Sequence, residues 1–288
     1  MALMLHKQVR DNDTLRRGFD ALAGKTFGLS FADWHAQGWW SDAYIPYVLA
    51  DGDTVAANAA VNRLTFRFPE GDKHFIQIGT VMTDPAYRNR GLSRRLLEEI
   101  LRDWRDRCDA LYLYANDTVL DFYPRFGFRR EQEYVHCLPL AGGRAAGRRL
   151  HMDSAADRQL LRQCFARSNP FAQAALADNF GLVMFYASSF MRDGFYWLEE
   201  AQAVVAADFE GPQMTCYDIF GGEGSALADI LAAAAHADTR AVTLGFTPRE
   251  TAGMSVQPLQ GEDTLFVLDG KENPWARAPL RLPLLSHA

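Results

Sequence analysis

The stretch Met82-Thr83-Asp84-Pro85-Ala86-Tyr87-Arg88-Asn89-Arg90-Gly91-Leu92-Ser93 decides how the first half of this chain reads. Upstream of it, Val55 to Phe68 and Phe75 to Thr83 are strand-like. The turn Pro69-Glu70-Gly71-Asp72 joins them into an antiparallel hairpin. Downstream, Leu92, Leu96, Leu97, Ile100, Leu101 and Trp104 form one broad apolar stripe at helical spacing. Arg94, Glu98 and Arg102 alternate in sign on the other face. A strand therefore turns into a helix at Arg88 to Ser93. Unpaired backbone N–H groups and the helix dipole make such a place an anion site. Arg88 and Arg90 add full charges, and Gly91 lets the backbone come close to a phosphate. On its own the hexamer fits a strand-to-helix turn with solvated arginines equally well.

Further out, residues from about Leu15 to Trp40 read as helical and rich in aromatics. Tyr44 to Leu49 reads as a strand closed by the turn at Asp51-Gly52-Asp53. Beyond the stripe lie a short strand, Leu111 to Ala115, and a brief helix through Phe122-Tyr123. Pro124 and Gly127 end that helix, and a last strand follows around Tyr134 to Cys137.

Composition bounds the function classes. Hydrophobic content of 48% and charged content of 23% over 288 residues place the chain among globular proteins with room for one or two cores. A net charge of −6 argues against nucleic acid, which calls for a clustered basic face. Apolar runs are about a strand long, too short for a membrane span, and Met1 to Arg17 lacks the apolar core of a signal peptide. Cys108, Cys137, Cys164 and Cys216 match no zinc or redox spacing. They read as reduced thiols of a cytoplasmic protein, with no metal expected.

Residues 141–150, rich in Gly and Arg, read as a solvated linker between a domain at 1–140 and another at 151–288. In the second half, Ala155 to Ser168 and Pro170 to Ala177 read as helical, and Val183 to Tyr186 and Phe195 to Leu198 as strands. A hairpin, Gln202 to Asp208 with Gln213 to Phe220, leads through Gly221-Gly222-Glu223-Gly224 to a helix, Ser225 to Ala235, and a strand from Ala241. That order repeats the first half, so this unit reads as a diverged repeat or an accessory domain. Its loop lacks a basic residue and carries Glu223 where a diphosphate would sit, which makes phosphate binding there unfavourable.

The quoted run resembles the GNAT family of N-acetyltransferases, whose cofactor loop has the form [Q/R]-x-x-G-x-[G/A], with Ser93 replacing the final small residue. Asn116 followed by Phe122-Tyr123-Pro124-Arg125-Phe126-Gly127-Phe128 resembles the family's N…Y-x-x-x-G-F segment. The resemblance covers roughly residues 5 to 140. It implies an α/β (α+β) fold with a central mixed, mostly antiparallel sheet flanked by helices, followed by a second α/β domain of the same or another fold. It also implies acetyl-CoA as co-substrate, its diphosphate on Arg88, Asn89, Arg90, Gly91, Leu92 and Ser93. The pantetheine arm would lie on Val81, Met82 and Thr83, with Asn116 binding the cofactor or capping its strand. Tyr123 falls where the family often keeps its general acid, and a phenol is protonated at neutral pH.

Many family members carry a glutamate on the strand before the loop, yet Phe75 to Thr83 contains no acid. Gln77 and His74 are the polar side chains there, His74 reading as an exposed histidine beside a turn. Ser286-His287-Ala288 offers an imidazole or a carboxylate, as in some two-domain relatives, against the expectation of a frayed tail. The acceptor wall would fall among Trp34, Trp39, Trp40, Tyr44 and Tyr47, with Trp40, Tyr44 and Gln77 as substrate contacts. Such a wall suits a hydrophobic amine, and core packing explains it equally well. The resulting expectation is an N-acetyltransferase acting by direct transfer on a small-molecule amine. A CoA-responsive binding module without catalysis and a peptide or protein N-acetyltransferase are the competing readings.

Overall fold

The computed structural model describes residues 3–261 and 263–288. In the first half, strands β1 (Met4–Lys7), β2 (Tyr44–Asp51), β3 (Thr54–Phe68), β4 (Gly71–Thr83), β5 (Ala110–Asn116) and β6 (Phe128–Glu131) alternate with helices α1 (Asp13–Phe27), α2 (Ala32–Ala36) and α3 (Leu92–Trp104). The second half contains β7 (Tyr134–Pro139), β8 (Arg148–Arg149), α4 (Ala155–Arg167), β9 (Ala175–Leu176), α5 (Phe180–Ser188) and β10 (Phe195–Leu198). It continues with β11 (Ala203–Glu210), β12 (Gln213–Gly221), α6 (Leu227–Ala234), β13 (Ala241–Leu244), β14 (Ser255–Pro258) and β15 (Asp263–Leu268).

Local chemistry explains the helix ends. The Asn12 side chain accepts from Leu15 N at 3.0 Å to start α1. Gly28, at φ 70°, ends it in the left-handed region. In α3 the expected stripe is the buried face: Leu92, Leu96, Leu97 and Ile100 sit in the core, while Arg94, Glu98 and Arg102 are exposed.

The first sheet runs β1-β2-β3-β4-β5-β15-β6, with β9 beside β3, and the second runs β14-β7-β13-β12-β11-β10-β8. The two contain the same unit. In one, the β3–β4 hairpin is followed by α3 and by β5, parallel to β4 at Phe75–Ile78 against Ala110–Leu113. In the other, the β11–β12 hairpin is followed by α6 and by β13, parallel to β12 at Gln213–Cys216 against Ala241–Leu244. The second half therefore repeats the mixed, mostly antiparallel architecture of the first.

The boundary drawn from the sequence does not separate the sheets. β7, counted with the first domain, pairs with β13 and β14 in the second sheet. β15, from the far end of the chain, inserts between β5 and β6 in the first. One hydrophobic core joins the two units, with Leu64, Phe75 and Tyr112 packed among Leu161, Phe165, Leu182 and Phe220. Nor does 141–150 run free, although most of it is exposed. The N–H groups of Gly143, Arg144, Ala145 and Ala146 bond at 2.8 Å to carbonyls at 232–236, satisfying the C-terminal end of α6.

Two further expectations change. Val183 to Tyr186 lies inside α5 rather than in a strand. A four-residue apolar run fits either form, and the Asn179 side chain caps the helix by accepting from Leu182 N at 3.3 Å. Pro170 to Ala177 is extended, because its backbone finds partners elsewhere: Gln173 N donates to Thr247 O at 2.7 Å, and β9 pairs with β3.

Candidate functional site

Strands β4 and β5 pair only through Ile78 and Leu113 and then part. Beyond that point β5 turns to β15, and the edge of β4 from Gly79 to Thr83 that faces it has no ladder partner among the described residues. The parting is fixed by a bulge between β3 and β4 at Thr80 and Val81. Thr80 has φ 44°, an unusual conformation for a β-branched residue. The buried Asn58 side chain donates to the Thr80 carbonyl at 2.8 Å, and the Tyr44 and Thr80 hydroxyls lie 2.8 Å apart. Asn58 carried no signal in the sequence, since its partner is 22 residues away across a bulge.

At the open end stands the N-terminus of α3. Asn89 at φ 60° and Gly91 at φ 69° turn the chain, and the first helical bond runs from Arg95 N to Gly91 O at 3.1 Å. The N–H groups of the first turn thus have no helical acceptor. The hydroxyls of Ser93 and Thr83, 3.0 Å apart, tie that turn to β4, so serine is compatible with the loop. Arg88 reaches the cavity between the strands. Arg90 instead donates to Ala86 O at 3.2 Å and covers the Tyr87 ring.

That cavity, of about 1350 Å³, gathers most of the residues expected from the sequence: Tyr44, Gln77, Val81 to Thr83, Arg88, Ser93, Asn116 and Tyr123. Asn89, Arg90, Gly91 and Leu92 shape the loop without lining the cavity. Trp40 lies behind it in the core, its indole donating to Tyr44 O at 3.1 Å. Asn116 caps the turn after β5, accepting from Thr118 N at 3.0 Å, while it also faces the cavity. His74 is at the opposite end of β4, exposed, with Nδ1 3.1 Å from the Thr65 hydroxyl.

Tyr123 sits on a short turn, and burial pushes its hydroxyl up to about 12, so it is protonated at neutral pH. Glu133, a residue no sequence pattern singled out, also lines the cavity. The residue is 5% exposed, and burial raises its carboxyl to about 7 against the pull of Arg281 and the Tyr114 hydroxyl, which donates at 3.1 Å. A carboxyl that changes charge near neutrality inside a cavity is suited to proton transfer.

The segment 281–288, expected to fray, is packed into the molecule. Thr247 N donates to Arg281 O at 3.1 Å and Leu284 N to Gly245 O at 3.0 Å, just where β12 and β13 cease to pair. The Gln77 side chain donates to the Ala288 oxygen at 3.2 Å, and a Cβ at Gly79 would overlap that group. The His287 ring stacks on Tyr114 at 4.2 Å, and its carbonyl accepts from the Tyr186 hydroxyl at 2.8 Å. Burial and Arg281 pull His287 down to about 3, leaving the imidazole neutral and a weak proton acceptor.

The glycine loop of the second unit is built differently. Glu223 pairs with Arg167 at 3.5 Å, and the same guanidinium packs against Gly221 and donates to Gln202 O. A side chain of the protein thus meets the acid that the sequence placed there. Among the described residues no three His, Cys, Asp or Glu side chains converge on a metal position. No helix there is long and apolar enough to cross a membrane.

The site is thus a parted pair of parallel strands with a basic helix N-terminus beside the cavity and Tyr123 lining it. Residues 17–130 match the acetyltransferase (GNAT) domain model, over less than half of the chain. N-alpha-acetyltransferase RimI of Mycobacterium tuberculosis is 38% identical over 82 residues, 27% of this chain and 48% of that one. An uncharacterized protein of Mycobacterium leprae is 36% identical over 94 residues, 31% of this chain and 24% of that one. The chain thus matches less than half the length of either relative. The whole fold resembles a probable N-acyltransferase from Enterococcus faecalis, with a TM-score of 0.60 at 12% identity over 93% of this chain and 72% of that one. It also resembles Eis1 of Mycobacterium abscessus, with a TM-score of 0.58 at 14% identity over 90% and 73%. Both likenesses run through the two halves.

Proposed function

We propose that this protein is an acetyl-CoA-dependent N-acetyltransferase that acts on a small-molecule amine by direct transfer. The observation that carries this reading is the convergence of the parted β4 edge, the N-terminus of α3 with Arg88, Tyr123 and Glu133 on one cavity. The residues fit the co-substrate. Arg88 and the free N–H groups of the first turn of α3 would hold its diphosphate, and the unpaired edge of Val81 to Thr83 its amide-bearing arm. Bound there, acetyl-CoA supplies the acetyl thioester.

The chain's own groups supply the rest. The Ala288 oxygen, oriented by Gln77, accepts an N–H of the incoming amine. Glu133 in its ionised form takes up the proton that nitrogen releases on forming the new bond. Tyr123 gives its proton to the departing sulfur as the thioester bond breaks. None of the four cysteines lines the cavity, which favours direct transfer over an acetyl-enzyme. Leu182, Phe185 and Tyr186 of α5 line the cavity, so the second half of the chain supplies an apolar surface against which a small acceptor would pack.

The test is thiol release from acetyl-CoA with a panel of amines, comparing wild type with Tyr123→Phe. Amine-dependent release that falls about a hundredfold in the variant supports the reading. Tight CoA binding with no amine-dependent release overturns it in favour of a binding module.

A further inference from the structure

Resting on the acetyl-transfer reading, we infer that the acceptor is a monoamine on an aromatic or bulky alkyl body, and that polyamines are excluded. One wall of the cavity is a continuous run of rings drawn from both halves of the chain. Phe31 stacks on Tyr44 with centroids 5.6 Å apart and on Phe185 at 5.1 Å. Trp34 meets Phe185 edge-on at 5.7 Å, and Phe185 continues to Phe190 at 5.8 Å. The wall begins at the reacting centre, where Tyr44 meets the Thr80 bulge and Tyr186 holds the His287 carbonyl. It ends at the mouth in Phe27 and Phe190, exposed by 45% and 62%. These are two of the four exposed large hydrophobic side chains among the described residues, and both line this one cavity. An apolar patch at a cavity mouth marks a surface that a ligand covers.

The wall is held firmly. The Trp34 indole donates to Gly181 O at 2.6 Å, and a Cβ at Gly181 would overlap the Trp39 carbonyl, so α5 packs directly on the segment after α2. Every cavity-lining residue contributed by α1, α2, β2, α5 and their adjoining loops is uncharged. The carboxylates Asp117, Asp121, Glu133 and Asp263 reach the cavity from other elements, namely β15 and the segments that follow β5 and β6. A polyamine bound along the wall would set its further ammonium groups against rings, whose cation–π attraction of about 0.5–2 kcal/mol does not replace the lost water without a carboxylate beside each. A single amine with an apolar body leaves nothing charged there. Its amino group sits at Ala288 and its body takes ring area out of water.

The experiment compares kcat/KM, by thiol release at pH 8, for 2-phenylethylamine, spermidine and a tripeptide with a free N-terminus. The expected order places 2-phenylethylamine about tenfold or more above the other two. Phe185→Ala and the surface variant Phe190→Ala are each expected to lower its kcat/KM by about tenfold, with the KM for acetyl-CoA unchanged. Phe190→Asp is expected to shift preference toward spermidine. If spermidine or the tripeptide equals or exceeds 2-phenylethylamine in the wild type, the substrate class is wrong while acetyl transfer stands. If no amine is turned over although acetyl-CoA binds, the transfer reading falls and the substrate class with it.

Discussion

The side-chain amide of Asn58 donates to the carbonyl of Thr80 at 2.8 Å, across the bulge where β4 leaves the regular ladder. This bond holds a threonine at φ 44° and so keeps the strand edge open toward the cavity. A buried donor lost from such a place costs about 1–3 kcal/mol. Asn58→Ala is therefore expected to lower stability by that amount in urea titrations and to raise the KM for acetyl-CoA. An unchanged KM at reduced stability would show that the bulge does not shape the binding edge.

Arg88 and Arg90 occur two residues apart in the same loop yet face different surroundings. Arg88 reaches the cavity, whereas Arg90 is engaged by the Ala86 carbonyl and the Tyr87 ring. A charge-assisted bond to phosphate is worth about 1.5–3 kcal/mol. Arg88→Ala should accordingly weaken CoA binding by roughly tenfold to a hundredfold in calorimetry, and Arg90→Ala by far less. Equal effects would mean that the loop acts only through its summed charge.

Glu133 makes a pH profile diagnostic. Burial raises its carboxyl to about 7, so it is protonated and unable to accept a proton below that pH. The rate with amine is expected to rise with pH through about 7. Glu133→Gln should remove this limb and lower kcat by about a hundredfold or more. The substrate's own amine, near a pKa of about 10, adds a limb common to both enzymes. A wild-type limb that persists in Glu133→Gln assigns the base elsewhere.

Asp218 offers a stability test remote from the cavity. It is fully buried, accepts from Asn169 at 2.7 Å and from Ile219 N at 2.9 Å, and its Oδ2 has no hydrogen-bond partner among the described residues. Burial raises it from 3.8 to about 7, an ionisation cost on the order of 4 kcal/mol. The folded state therefore holds a proton that the unfolded state releases between these values. Stability falls as pH rises through that window and levels off above it. Asp218→Asn should flatten this slope, and be more stable than wild type at pH 8 by roughly 1–3 kcal/mol. Parallel slopes for the two proteins would place the titrating group elsewhere.

The amino-acid sequence alone determined the β3–β4 hairpin, the buried stripe of α3 and the loop from Arg88 to Ser93. Each rests on neighbours within a few residues: turn chemistry, helical periodicity and a glycine that turns the chain. The resemblance to the family singled out Tyr123, which lines the cavity, and the sequence placed the acid Glu223 in the weaker loop. Only the tertiary structure decided the exchange of β7 and β15, because strand pairing over more than 100 residues leaves no periodic mark. It alone decided that Val183 to Tyr186 is helical, since a short apolar run is buried equally well in either form. The roles of Asn58, Glu133 and Ala288 belong to the same group. A bulge partner, a shifted carboxyl and a docked chain segment all arise from burial against distant residues, and burial of that kind exists only once the two sheets have closed on one core.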